Sequence, residues 1–181
     1  MSAGTNMYDI IQKCLDGDRS AQKHLYLCLS DELMAVAYRY TRDMDFAKDV
    51  VQNTFVRIFY NLAGYDVEKS GITTWSKKIC IHEAISFLRK HKKMVIQYDI
   101  DEVILPFQKE YEDENFSPEV LRQKIDNLPE EHRMIIQLYY YDELSHKEIA
   151  TLLNIQESSS RSRLSRAKDQ LRINWKAALF F

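Results

Sequence analysis

The chain has 181 residues, enough for one medium domain or two small ones, and its 45% hydrophobic content excludes disorder throughout. A formal net charge of −2, from 25 basic and 27 acidic residues, does not by itself suggest a polyanionic partner. No run reaches the roughly 18 apolar residues of a membrane helix, and MSAGTNMYDIIQKCLDGDR lacks the basic start and long apolar stretch of a signal peptide. With only 4 glycines, 3 prolines and little β-branched alternation, the expected fold class is all-α with short connections. Cys14, Cys28 and Cys80 are odd in number and widely spaced, which suits buried thiols in a reducing, cytoplasmic compartment.

Leu25, Cys28, Leu29, Leu33, Val36, Ala37 and Tyr40 repeat at three- and four-residue spacing and predict one side of a helix. The break TRDMD follows, with Asp45 expected to cap the next helix. There Ala47, Val51, Phe55, Ile58 and Leu62 form the inner stripe, leaving Asp49, Gln52, Asn53 and Val56 on other faces. AGYDVEKSGIT holds two glycines and reads as a loop. TTWSKKICIHEAISFLRKHKK is a further long helix, apolar on more than one face, with Trp75 inside and a charged end left free.

Residues 95–116 lose the helical period and turn acidic, so they read as a linker between a domain at 1–94 and a second at 117–181. Ser117-Pro118 is a cap followed by proline at the first helical position. Leu121, Ile125 and Leu128 face one way. Pro129 opens another helix, with Ile135, Leu138 and Tyr139 inward.

Ser145 and Glu148 have capping-box spacing ahead of Ile149, Ala150 and Leu153. Asn154 tolerates the left-handed backbone of a tight turn, and Ile155 can plug the corner. A second helix from about Glu157 turns Leu164, Ala167 and Leu171 inward and leaves Arg161, Ser162, Ser165 and Arg166 outside. This is a helix-turn-helix pattern with a cationic outer face. Arginine suits that face because its planar fork bonds guanine edges or phosphate bidentately. A solvated basic helix end is the plainer alternative. Ser160 stands where an apolar residue would anchor the second helix, and Gln156 is a poor cap.

The charge distribution is more telling than its sum. Lys77, Lys78, Arg89, Lys90, Lys92 and Lys93 form one basic cluster, with His82 and His91 among them. Arg161, Arg163, Arg166, Lys168, Arg172 and Lys176 form another, and an acidic segment runs between.

LPEEHRMIIQLYYYDELSHKEIATLLNIQESSSRSRLSRAKDQLR, Leu128 to Arg172, resembles region 4 of the sigma-70 family of bacterial transcription initiation factors. DVVQNTFVRIFYNLAGYD followed by TTWSKKICIHEAISFLRKHKK resembles region 2. The order, the spacing and the lack of a further domain are similar to the small extracytoplasmic-function group, over roughly residues 10 to 173.

The resemblance implies a factor that binds core RNA polymerase, selects a promoter and helps open it. The residues offer no catalytic set, the five histidines are scattered and no His/Cys spacing suggests zinc, so no covalent chemistry, cofactor or metal is expected. Asp49, Gln52 and Asn53 fall on positions that face the β′ clamp helices, and the β flap is the second polymerase contact. The loop from Gly64 to Thr73 corresponds to the segment that receives a flipped −10 base; Tyr65 either stacks there or anchors the loop. Lys77, Lys78, Arg89 and Lys90 would neutralise promoter phosphates. His82 stands where the family often has asparagine, which puts a base contact there in doubt. Arg161, Ser162, Ser165 and Arg166 match positions that face the −35 element, and Arg163 either contacts phosphate or braces the fold. The family also makes an anti-sigma factor an expected partner. The terminal WKAALFF either extends the last helix into the core or offers a partner surface. Two rivals remain: a dimeric helix-turn-helix regulator and a helical adaptor that does not read DNA.

Overall fold

The computed structural model describes residues 6–91 and 117–177, with side chains described to residue 173. The chain divides into two compact units, Met1–Met94 and Val95–Phe181. The expected linker, Lys92, Lys93 and the side chains of WKAALFF lie outside the described residues.

In the first unit, α1 (Met7–Leu15) is followed by a turn in which Gly17 takes φ +83°, open to glycine at little cost. Asp18 then caps α2 (Arg19–Thr41), its carboxylate accepting from the amides of Ser20 at 2.7 Å and Ala21 at 3.2 Å. Arg42 ends α2 in the left-handed region. The cap of α3 (Met44–Asn61) is Asp43, not Asp45: Asp43 Oδ1 accepts from the amides of Asp45 and Phe46. Asp43 has the extended backbone a cap needs, whereas Asp45 already lies in the first helical turn. A 3-10 turn (Leu62–Gly64) leads through the loop to α4 (Ile72–His91).

α2, α3 and α4 pack on one another and α1 lies along α2. Leu25, Leu29, Leu33, Val36, Ala37 and Tyr40 are buried from α2, while Ala47, Val51, Phe55 and Ile58 are buried from α3. Cys14 and Cys80 are buried, but Cys28 is exposed. It sits at the edge of the α2 stripe, whose centre is taken by Leu25 and Leu29. Trp75 and Ile79 are half-buried at the flank of α4 rather than in the core.

In the second unit, α5 (Pro118–Asp126) begins where expected, although the Ser117 hydroxyl bonds the Glu119 carboxylate instead of a helix amide. α6 (Glu130–Ile136) follows Pro129 and runs into a π-helical turn (Gln137–Tyr141) that the sequence pattern did not announce. α7 (His146–Leu153) and α8 (Glu157–Ala177) complete the unit, with α8 packed on α5, α6 and α7. Ile135, Leu138, Ile149, Leu153, Leu164 and Ala167 are buried, while Tyr139 and Leu171 are half-buried.

Candidate nucleic-acid interface

The geometry of α7 and α8 follows from short-range chemistry. The Glu148 amide donates to Ser145 Oγ at 3.3 Å, and the Ser145 amide donates to the Glu148 carboxylate at 2.8 Å, so the capping box is closed both ways. Asn154 ends α7 at φ 55°, ψ 50°. The Ile155 amide reaches back to the Ala150 carbonyl at 3.0 Å. Ala150, 7% exposed, leaves room for the close approach of the next helix. Replacing Ser145 with alanine removes one half of the box and should lower the stability of this unit by about 0.5–2 kcal/mol. Thermal unfolding followed by circular dichroism checks this; an unchanged profile would mean the cap contributes nothing.

On α8, Arg161, Ser162 and Ser165 are exposed, with Arg161 ion-paired to Glu157 one turn earlier. Arg166 is half-buried rather than outside, and so is Arg163. Both lie close enough to His132 of α6 that their charges, after the larger effect of burial, press its imidazole below the ordinary histidine range. Ser160 is fully buried, bonded to His146 at the start of α7.

The basic face of the first unit lies on α4. Lys78, His82 and Arg89 are exposed and recur at four and seven residues, which aligns them along the helix. Lys90 is exposed beside them. Lys77 is turned aside, half-buried and ion-paired with Glu32 of α2. Burial holds His82 below the usual histidine range; Glu83 opposes this, and Arg57 and Lys78 reinforce it.

The loop before α4 is closed by Tyr65. Its hydroxyl donates to the Ser70 carbonyl at 2.8 Å, and its ring lies 5.3 Å from that of Trp75. Burial, with the Asp66 charge second, pushes its phenol pKa up. These contacts tie Tyr65 to both ends of the loop.

α3 presents a third surface. Asp49, Gln52 and Asn53 are exposed together, and the same face continues through Val56 and Tyr60, 65% and 86% exposed. A shallow groove beside it is lined by Tyr26, Met34, Phe55, Val56 and Phe59. Tyr60 was not singled out from sequence; its signal is an aromatic on the polar side of the helical wheel. Among the described residues, no three His, Cys, Asp or Glu side chains cluster as metal ligands, and no helix is long and apolar enough to cross a membrane.

Among the described residues the chain is an all-α protein of two compact units, a helical bundle with an aligned basic row and a helix-turn-helix with arginine and serine on its outer helix. Residues 25–94 match the family model of Sigma-70 region 2, and residues 119–171 match that of Sigma-70, region 4. The chain is 33% identical over 135 residues to the ECF RNA polymerase sigma factor SigM of Bacillus subtilis, covering 73% of this chain and 81% of the relative. It is 27% identical over 177 residues to SigW of the same organism, covering 90% and 92%. The fold is also that of the sigma factor RpoE of Bartonella quintana, solved with the anti-sigma factor NepR, at a TM-score of 0.52 and 22% identity over 85% of this chain and 96% of that one. The chain belongs to the sigma-70 family, in its extracytoplasmic-function group: it is a sigma factor for promoter recognition and transcription initiation.

Proposed function

We propose that the work is divided among three surfaces, each presented by one helix. Arg161, Ser162 and Ser165 read the −35 element from α8, with Arg166 at the edge and Arg163 bracing the helix against α6. Lys78, Arg89 and Lys90 neutralise phosphates near the −10 element, a sequence-blind and salt-sensitive contribution. Lys77 joins them only by giving up Glu32, and His82 takes part as a neutral hydrogen-bonding ring. Tyr65 shapes the base-receiving loop from within. Asp49, Gln52 and Asn53 dock on the β′ clamp helices of core RNA polymerase, with Val56 and Tyr60 extending that face and the second unit meeting the β flap. Residues 1–94 and 117–181 act as separate domains joined by 95–116.

The observation that carries this reading is the exposure of Arg161, Ser162 and Ser165 along one face of the outer helix of a helix-turn-helix whose first helix is closed by a capping box. The factor makes no covalent chemistry and works in the cytoplasm, where the transcribing polymerase is. By its likeness to a sigma factor solved with its inhibitor, an anti-sigma factor is the partner that would hold it inactive.

The docking face has its own test. An acid and two amides in a helical row suit a basic coiled partner, and a side chain central to such a contact is worth about 1 kcal/mol or more. Asp49→Ala and Gln52→Ala should each weaken capture by core polymerase by that amount in a fluorescence titration. Unchanged capture in both would remove the assignment of this face.

A further inference from the structure

Ser160 lies on the inner side of α8, in line with Leu164 and Ala167, and all three are buried. A buried hydroxyl needs a partner, and here it comes from another helix. Its Oγ stands 3.0 Å from Nδ1 of His146, the first residue of α7. The His146 ring stacks in turn on Tyr139 of the π-helical turn, with centroids 4.8 Å apart and planes at 26°. Three elements therefore meet at one directional contact.

Burial, then the Arg161 charge, holds the imidazole below the ordinary histidine range; Glu157 opposes this and Lys168 adds to it. A neutral ring with its proton on Nε2 leaves Nδ1 to accept from the serine hydroxyl. An apolar side chain at position 160 would hold α8 in place by a non-directional force, whereas a hydrogen bond fixes angle as well as distance. Ser160 immediately precedes Arg161 and Ser162, so whatever sets its orientation sets theirs.

We infer that His146 and Ser160 are a positioning pair that fixes the rotation of α8 and so aims Arg161 and Ser162 at the −35 element. This rests on the reading of α8 as the recognition helix.

Run-off transcription by core polymerase with each full-length variant gives a discrimination ratio between two promoters. One is selected from randomised −35 templates, and the other is altered only at −35. The thermal midpoint of each variant is measured alongside. His146→Phe keeps a ring against Tyr139 but has no acceptor; His146→Asn puts Oδ1 where Nδ1 stands but has no ring.

His146→Phe and Ser160→Ala should each lower the ratio about fivefold, the double variant no further, because one hydrogen bond is lost in every case. His146→Asn should keep the parental ratio to within about twofold. Arg161→Ala is the control. If it leaves the ratio unchanged, the recognition-helix reading fails and takes this inference with it. If Arg161→Ala lowers the ratio while His146→Phe keeps it, the inference alone is overturned, and the contact is packing. Should His146→Phe fail to fold, Ser160→Ala and His146→Asn decide together: a lowered ratio in the first with a kept ratio in the second supports the pair, and a kept ratio in Ser160→Ala or a lost one in His146→Asn overturns it.

Discussion

Leu33→Ala should destabilise the first unit by about 2–5 kcal/mol, a large share of the roughly 5–15 kcal/mol that holds a domain folded. Leu33 is 1% exposed near the middle of α2, the helix that packs against α1, α3 and α4. The Cys80 thiol of α4 donates to its carbonyl at 3.5 Å, so α4 crosses at this point. Truncation leaves a void between helices that cannot close without moving both backbones. If the two compact units fold separately, as proposed, the loss stays local. Hydrogen exchange resolved by segment should show protection falling over residues 7–91 and unchanged over 118–173. Equal loss in both segments would mean the chain folds as one cooperative body.

The second large effect concerns specificity. Arg161→Ala and Arg166→Ala should each lose about 1–3 kcal/mol of promoter discrimination if each reads a base edge. Arg161 must first leave Glu157, but an exposed pair one helical turn apart is worth only about 0.3–0.5 kcal/mol. A base contact of the proposed size would outweigh that pair. Arg166 is half-buried beside His132, so its replacement also removes packing, and its loss of discrimination should come with some loss of stability. Affinity for core polymerase should not change in either variant. If the arginine variants abolish core binding instead, the faces have been assigned the wrong way round.

What was legible in the sequence is what short-range chemistry decides. The capping box at Ser145 and Glu148, the left-handed Asn154 and the start of α8 at Glu157 each depend on a few consecutive residues. The inner stripes of α2 and α3 were legible because a run of apolar residues at three- and four-residue spacing leaves one register. Asp43 and Asp45 compete for one cap, and the backbone at the end of α2 decides between them, which residue type alone cannot do. Cys28 is apolar enough to join the stripe but lies at its edge. The remaining differences come from distant partners. Lys77 reads as a free cation until α2 brings Glu32 to it, 45 residues away in sequence by number. Ser160 reads as a flaw in the helix-turn-helix until His146, 14 residues earlier, supplies its bond. The π-helical turn at Gln137–Tyr141 follows α6 without a break, and the helical period of its apolar residues does not distinguish it from ordinary α-helix.

The most direct test is run-off transcription with purified core polymerase, with and without this chain, on templates selected from randomised −35 and −10 elements. Transcripts should require the chain, begin at one position and fall when either element is altered. Tight, sequence-specific binding of duplex DNA by the chain alone, with no transcription when core polymerase is added, would contradict a sigma factor and mark an ordinary helix-turn-helix regulator.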